Sequence, residues 1–342
     1  MYLNLNFNPH DVKYTSHIDI NLVPERKFKA LTIGKDSYIV KATVETGLNM
    51  DPEVNRNAGI YNLQIGKYSS LAEDILFMID INHDYLSVSQ GCVTELKDVA
   101  SKMKIKRKGQ ILIENDVWIG HGATIMNGVT VHNGAVVVAN STVTKDVPPY
   151  AIVAGNPAKI VKYRFSEDIV EKLLKISWWN WSSETILARR VDFQLPITDF
   201  VEKYYEEAQK EYEESLKLEN PVADMGENKY LLVPDFTDEY PLYPKIIKSF
   251  CEQFDNTGEQ LVIYLEPQNV VEGFNIVSKI LERLEEYNIY VQIIDGTTCD
   301  VNQVIANVDK YIVDRNLNTM ERVEMAEKYG VELISGVDIP LF

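Results

Sequence analysis

Cysteine is scarce in this chain, and the sequence marks of membrane-embedded and secreted proteins are absent. Its three cysteines, Cys92, Cys251 and Cys299, lie far apart and form no CxxC pair, which argues against a disulfide framework or a cysteine zinc site. No apolar run reaches about 18 residues, so no membrane-spanning helix is expected. The first residues contain no basic segment followed by an apolar one, so no secretory signal is expected. These absences together favour the reducing cytoplasm.

Positive charge is also in short supply. Against 51 acidic residues stand 34 lysines and arginines, which leaves a net charge of −17 over 342 residues. Nucleic acids and anionic membrane surfaces attract proteins through Lys and Arg, so neither is expected as a partner. No GxGxxG or P-loop motif occurs, and the sequence therefore gives no support to dinucleotide or ATP binding.

A six-residue repeat is the clearest feature that the sequence does contain. Aliphatic residues recur at every sixth position between 113 and 148, namely Ile113, Ile119, Ile125, Val131, Val137 and Val143. A second series, four positions later, is mostly small or β-branched: Val117, Ala123, Val129, Ala135, Ser141 and Val147. Neither an α-helix nor an amphipathic strand has a period of six, whereas each hexad of a parallel β-helix forms one strand and one corner. We therefore predict a β-helix with a buried aliphatic column.

Interruptions and turn-rich segments outline the rest of the first domain. Further hexads lie at 33–44 and 65–76, a non-repeat segment covers 45–62, and a long loop covers 82–110. A loop of that length in a compact domain is usually functional or disordered. A helix at 166–177, with Ser166 as its N-cap, is predicted to cover the end of the coil, because an open end exposes unpaired strand groups. We assign the β-helix domain to 1–190 and a helical linker to 191–227.

From residue 228 to residue 342, apolar runs alternate with amphipathic segments. KYLLVPDF and LVIYLEP have the pattern of buried strands, and a helical pattern follows each. Such alternation predicts a parallel sheet with helices on both faces, here a small Rossmann-like α/β domain of three layers. Its outline resembles one half of a nucleotide-sugar glycosyltransferase of the two-Rossmann type, which could not transfer a sugar alone. A docking or oligomerisation module is favoured over a module that binds an acceptor carrier.

Five stretches together resemble the hexapeptide-repeat acyltransferases, and most closely their xenobiotic and CatB-like O-acetyltransferase branch. They are IGKYSSLAEDI, INHDY, NDVWIGHGATIM within the repeat, NSTVTKDVPPYAIVAGNPAKIVKYRF, and KISWWNW. The resemblance covers roughly residues 30 to 185 and leaves out the α/β domain. It implies a left-handed parallel β-helix, a homotrimer with active sites between subunits, and acetyl transfer from acetyl-CoA without a metal.

Acyl transfer from a thioester needs a base for the acceptor's proton, and histidine titrates near working pH. The chain has five histidines: His10, His17, His83, His121 and His132. By the resemblance, His83 in the NHDY motif is the general base. Asn82, Asp84 or Asp80 would orient the imidazole, and Asn82 and Asp84 are also expected to contact the acceptor. His121 and His132 are expected on the outside of the repeat, His132 at the surface.

The resemblance also places the CoA arm along the coil, between subunits. Trp118 would flank the pantetheine or the acceptor, and Tyr38 would lie near the acceptor. Gly120 and Ala139 would let the arm approach the backbone, which small residues permit. The phosphates or the adenine would contact Thr144, Lys145, Lys159 and Lys162. Ordinary packing of the aromatic residues and solvation of the lysines remain alternatives.

The expected function is O-acetylation of a carbohydrate or nucleotide-sugar acceptor, in polysaccharide biosynthesis. N-acylation of an amino sugar is one alternative, because the same site geometry allows it. A non-catalytic β-helix scaffold is another. A zinc hydratase of the γ-carbonic anhydrase type is not expected. It needs two histidines five residues apart, and the residues five before and five after His121 are Asp116 and Met126.

Overall fold

A computed structural model of the chain describes residues 2–7, 17–21, 29–46, 62–79, 85–86, 88, 108–217, 219–238, 240–316, 318–338 and 340–342. The candidate base His83 and its expected neighbours Asp80, Asn82 and Asp84 lie outside the described residues. Within the described part of the chain, no helix is both long and apolar enough to cross a bilayer.

The strands of the N-terminal half wind into a three-sided β-helix whose successive coils pair in parallel. In chain order they are β1 (Tyr2–Phe7), β2 (His17–Asn21), β3 (Lys29–Gly34), β4 (Tyr38–Thr46), β5 (Asn62–Ile65), β6 (Ser70–Leu71), β7 (Ile75–Ile79), β8 (Gln110–Ile113), β9 (Trp118–Ile119), β10 (Thr124–Met126), β11 (Thr130–Val131), β12 (Val136–Val137), β13 (Thr142–Val143), β14 (Ala151–Gly155) and β15 (Ala158–Tyr163).

Each coil contributes one strand to each of three faces. Face A contains the start of β4 with β6, β9, β12, β14 and β15. Face B contains the rest of β4 with β7, β10 and β13, and face C contains β2, β3, β5, β8 and β11. Among the described strands, three pairs are antiparallel: β1 with β4, β2 with β3, and β15 with β14. We name the corners between them A–B, B–C and C–A, in the order in which the chain passes them.

The interior of the coil is the aliphatic column that the repeat predicts. All six residues of the first series, from Ile113 to Val143, are at most 1% exposed, and the second series is at most 2% exposed. Phe77 and Ile75 of β7 extend the same column into an earlier coil. Every hexad therefore buries its inward side chain, which stabilises by roughly 1.5–3 kcal/mol for each large aliphatic residue.

Replacing Ile125 with alanine is expected to lower the free energy of unfolding by about 2–5 kcal/mol, because the rigid coil cannot collapse around the cavity. Urea unfolding followed by circular dichroism measures the change. Leu187→Ala removes the same number of carbons from a residue that is 64% exposed and is expected to cost less than about 0.5 kcal/mol. Equal losses for the two variants would contradict a tightly packed column.

Three helices follow the coil and pack along its C–A corner: α1 (Glu167–Ile176), α2 (Ser183–Arg189) and α3 (Ile197–Ser215). α3 lies against α1 and shares an apolar cluster with it and with Tyr150 of the last coil. The contact continues toward the earlier coils, where the ring centroids of Trp178 and Tyr68 are 5.0 Å apart. The predicted helix over 166–177 is thus present as α1. The segments around it extend along the coil as well as over the end of the coil.

The C-terminal half contains a five-stranded parallel sheet between two layers of helices. Its strands are β16 (Lys229–Leu232), β17 (Gln260–Leu265), β18 (Tyr290–Asp295), β19 (Lys310–Val313) and β20 (Glu332–Ser335). Its helices are α4 (Tyr243–Phe254), α5 (Val270–Glu282), α6 (Val301–Ile305) and α7 (Thr319–Lys328). The strand order β18–β17–β16–β19–β20 is found in doubly wound sheets. α4 and α5 pack on one side, and α6 and α7 on the other.

Candidate functional site

Three of the candidate residues lie in one outward row on face A. From one coil to the next, the paired residues of this row are Tyr38, Ser70, Trp118, Val136, Ile152 and Lys162. Residues paired in register point to the same side of a sheet, and here that side is the outside of the coil. Tyr38 is 39% exposed and Trp118 is 57% exposed. The fold therefore brings Tyr38, Trp118 and Lys162 onto a common surface.

The A–B corner beside this row holds the two small candidate residues. Ala139 is exposed, whereas Gly120 is buried. A Cβ atom on Gly120 would stand 2.6 Å from the backbone nitrogen of Ala139. Packing of the next coil thus accounts for a glycine at this position, and the ligand approach that the resemblance implies stays a prediction. Lys159 pairs with Ala154 near the same corner and is exposed.

Thr144 and Lys145 lie elsewhere on the coil. They follow β13 of face B and are exposed at the B–C corner. The width of face B separates them from the row on face A. β7 ends at Ile79 at the same corner, so the chain enters the loop that carries His83 from there. Within one chain, the described candidate residues therefore form two separate groups.

Helix α7 attaches the α/β domain to the C–A corner through an acidic stripe, a contact that sequence patterns do not reveal. Glu321 Oε1 lies 3.4 Å from Lys67 Nζ. Glu324 accepts hydrogen bonds from Trp179 Nε1 and Asn180 Nδ2, each at 2.6 Å. Burial raises the pKa of the Glu324 carboxyl, and these two donors oppose that rise.

Face C is covered by the same domain. The side-chain amides of Gln64 and Gln110 donate to the carbonyl oxygen of Asp314, at 2.9 and 3.1 Å. The backbone nitrogen of Gly109 donates to Asp338 Oδ1 at 3.0 Å. Because the α/β domain occupies face C, faces A and B are the sides of the coil on which the described residues leave room for another subunit.

The surface position predicted for His132 is wrong, because α7 packs over it. His132 Nδ1 lies 3.0 Å from Glu114 Oε1 and 2.8 Å from Glu327 Oε1. Burial raises the pKa of the Glu114 carboxyl to about 8, the Glu327 carboxylate adds to that rise, and His132 opposes it. Burial alone would lower the pKa of His132, but the two carboxylates outweigh it and raise that pKa to about 11.

A cavity of about 660 Å³ opens between face C and β20, the edge strand of the C-terminal sheet. Leu112, Thr130 and His132 line it on the side of the coil. Lys310 and Phe342 line it on the side of the α/β domain. The cavity opens on face C, whereas the acetyl-transfer candidates lie on face A, and no sequence pattern indicates it, because its walls come from both halves of the chain.

Comparisons with known proteins agree with the six-residue repeat. Residues 111–145 match the family model described as bacterial transferase hexapeptide (six repeats). Over 131 residues the chain is 45% identical to a probable macrolide acetyltransferase of Lysinibacillus sphaericus, a match that covers 36% of this chain and 72% of that protein. It is 52% identical over 83 residues to a chloramphenicol acetyltransferase of Klebsiella aerogenes, which covers 24% of this chain and 40% of that protein.

Two further relatives have names that refer to acetyl transfer. A polysialic acid O-acetyltransferase of Escherichia coli O1:K1 / APEC is 38% identical over 101 residues, or 30% of this chain and 29% of that protein. A solved hexapeptide-repeat containing acetyltransferase from Vibrio cholerae is 32% identical, with a TM-score of 0.25, over 31% of this chain and 53% of that chain. Apart from the macrolide acetyltransferase, the chain spans about half or less of the length of these relatives.

Proposed function

The chain belongs to the hexapeptide-repeat acyltransferases, and from this premise we propose that it transfers an acetyl group from acetyl-CoA to a hydroxyl group of a carbohydrate acceptor. The observation that carries the proposal is the 45% identity over 131 residues to a relative named as an acetyltransferase. The relative named for O-acetylation of polysialic acid favours a sugar hydroxyl as the acceptor. The relatives named for macrolide and chloramphenicol favour a second candidate, a hydroxyl-bearing antibiotic.

His83 is the proposed general base of this reaction. It accepts the proton of the acceptor hydroxyl while the oxygen attacks the thioester carbonyl and a tetrahedral intermediate forms. The carbon–sulfur bond then breaks, and the imidazolium returns the proton to the departing CoA thiolate. Trp118 and Tyr38, from the row on face A, flank the reacting groups, and Asn82 and Asp84 accompany the base. Acetyl-CoA acts as the co-substrate.

The site is proposed to lie between two subunits of a homotrimer. Lys145 and Thr144 stand at the B–C corner, and Trp118 stands on face A, so one chain alone keeps them apart. A neighbouring subunit that turns its B–C corner toward face A brings the two groups together. The loop with His83 begins at that same corner, and it then reaches Trp118 of the adjacent chain. Lys159 and Lys162 of the first chain, with Lys145 of the second, meet the CoA phosphates.

An exposed apolar strip supports this assembly. Six large apolar residues on face A and its A–B edge are at least 39% exposed: Tyr38, Val40, Trp118, Val138, Ile160 and Val161. Exposed apolar area of this kind is typical of surfaces that a partner covers. Face C cannot serve the same purpose because the α/β domain already occupies it.

Release of free thiol from acetyl-CoA tests the proposed reaction. We expect thiol release with hydroxyl-bearing oligosaccharides, and a product ester that dilute alkali cleaves. Amino sugars with the same ring and chloramphenicol serve as parallel acceptors. An alkali-stable product formed only from amino sugars would establish N-acylation instead, and turnover of chloramphenicol alone would establish the antibiotic acceptor. The absence of thiol release with every acceptor would leave the non-catalytic scaffold.

A further inference from the structure

We propose that Glu114, His132 and Glu327 bind a divalent transition-metal ion, with Zn²⁺ as the best match, at the contact between the β-helix and the α/β domain. Glu114 and His132 come from the C–A corner, and Glu327 comes from the last turn of α7. One ligand atom from each of the three side chains lies within 4.8 Å of the other two. The proposal concerns the joint between the two halves and is independent of the proposed acetyl transfer.

The spacing of the three ligand atoms fits a common ion. His132 Nδ1 stands 3.0 Å from Glu114 Oε1 and 2.8 Å from Glu327 Oε1. Zinc holds imidazole nitrogen and carboxylate oxygen at about 2.0–2.2 Å in a tetrahedral arrangement, so two of its ligand atoms stand roughly 3.4 Å apart. An ion can therefore enter with shifts of a few tenths of an ångström. A single Nδ1–H, by contrast, cannot point straight at two carboxylate oxygens at once.

Charge sets Glu327 apart from the other acids on the same face of α7. Glu321 lies opposite the Lys67 ammonium, and Glu324 accepts two short hydrogen bonds from neutral donors. Glu327 instead shares one imidazole with the buried Glu114.

With both carboxyls ionised, the three groups contain more negative than positive charge. Among the described residues, no lysine or arginine forms an ion pair with either Glu114 or Glu327. Two carboxylates thus have at most one positive charge between them, and a buried carboxylate without a counter-ion is costly. A dication with a neutral imidazole balances the two carboxylates completely.

The surrounding residues hold the three ligands in place and leave an entry path for the metal ion. Glu114 is 1% exposed, and its second oxygen accepts the backbone N–H of Asn133 at 2.8 Å, which fixes its direction as supporting hydrogen bonds do in metal sites. His132 and Glu327 both line the cavity of about 660 Å³. An ion and the water that completes its coordination can enter from there. A mixed set of one nitrogen and two oxygens suits Zn²⁺ better than Mg²⁺ or Ca²⁺.

Such an ion ties the two halves of the chain together. Because its ligands come from the coil and from α7, the full set exists only when the α/β domain is docked, and binding therefore favours docking. We expect the chelator-treated full-length protein to bind one Zn²⁺ per chain in isothermal titration calorimetry. We also expect Zn²⁺ to raise its unfolding temperature and Co²⁺ to give visible absorption bands of a site with protein ligands.

Substitutions within α7 provide a matched pair for this test. Glu327→Gln keeps the shape of the side chain and is expected to weaken Zn²⁺ binding about tenfold or more. Glu321→Gln makes the same change six residues earlier, opposite Lys67, and is expected to bind Zn²⁺ like the unaltered protein. His132→Ala is expected to abolish the Co²⁺ bands, whereas His121→Ala, at an exposed corner, retains them.

Two results would overturn the metal site. The first is a full-length protein, folded by circular dichroism, that takes up much less than one Zn²⁺ per chain; a proton shared by the three side chains then accounts for the cluster. The second is Zn²⁺ binding that Glu327→Gln and Glu321→Gln weaken equally, which would place the ion elsewhere.

Discussion

Replacing His83 with alanine is expected to lower kcat/KM for acetyl transfer by about 10²–10⁴-fold, the usual contribution of a positioned general base. Without the imidazole, the acceptor hydroxyl must lose its proton to water while it attacks the thioester. The same substitution is expected to leave circular dichroism and molecular mass unchanged, because position 83 lies outside the six-residue repeat in the sequence. Thiol release under subsaturating acceptor, measured from pH 5 to pH 9, gives the loss.

The pH profile separates a base from a residue that only shapes the loop. A histidine base gives the unaltered enzyme a rate that rises with pH as the imidazole loses its proton, and His83→Ala is expected to lose that rise together with the rate. His17→Ala is the matched control, because His17 lies on β2 of face C, away from Trp118. A His83→Ala enzyme with the full rate, or with a reduced rate and the same pH profile, contradicts the assignment.

The six-residue period accounts for the part of the fold that could be predicted from the sequence. Which side of each hexad faces inward is a local property, so the burial of Ile113 and Val131 follows from spacing alone. The shared outward row of Tyr38 and Trp118 does not follow from spacing, because the segments at 45–62 and 82–110 interrupt the repeat between them; the strand pairing shows it. The position of α1 could also be predicted from the sequence, because Ser166 and the acidic residues after it mark a helix start.

Contacts between distant segments could not be predicted from the sequence. Glu321, Glu324 and Glu327 have the spacing of a solvated helix face, and nothing local shows that α7 presses them against the coil. His132 changes from a surface residue to a covered one for the same reason. Gly120 is small because Ala139 of the next coil packs on it, a cause that a motif cannot distinguish from ligand access.

The same limit applies to the candidate site. The fold places Trp118 and Lys162 on a common face, although Lys162 lies on β15, beyond the repeat. It also places Lys145 at a different corner, although the resemblance names all three as CoA contacts. The proposed assembly would remove the conflict, since a site between subunits takes residues from two corners.

Replacing Trp118 with glutamate is expected to dissociate the trimer at micromolar concentration. Trp118 is 57% exposed within the apolar strip on face A, which the neighbouring subunit is proposed to cover. Burying a carboxylate there without a counter-ion costs several kcal/mol, and about 1.4 kcal/mol weakens association tenfold. Light scattering after size-exclusion chromatography measures the mass. Val271→Glu, on a 78% exposed residue of α5, and Trp118→Phe are both expected to remain trimeric.

The molecular mass of the Trp118→Glu protein is a clearer readout of assembly than its activity. Trp118 is also proposed to flank the reacting groups, so its replacement lowers activity in a trimer as well. A Trp118→Glu protein with the mass of a trimer would remove face A from the subunit contact. A monomer with undiminished turnover would show that each chain holds a complete site, despite the separation of Lys145 from Trp118. The expected result is a folded monomer without turnover. In such a monomer, His83 and Lys145 of one chain are no longer in contact with face A of another chain, so the two parts of the site are separated.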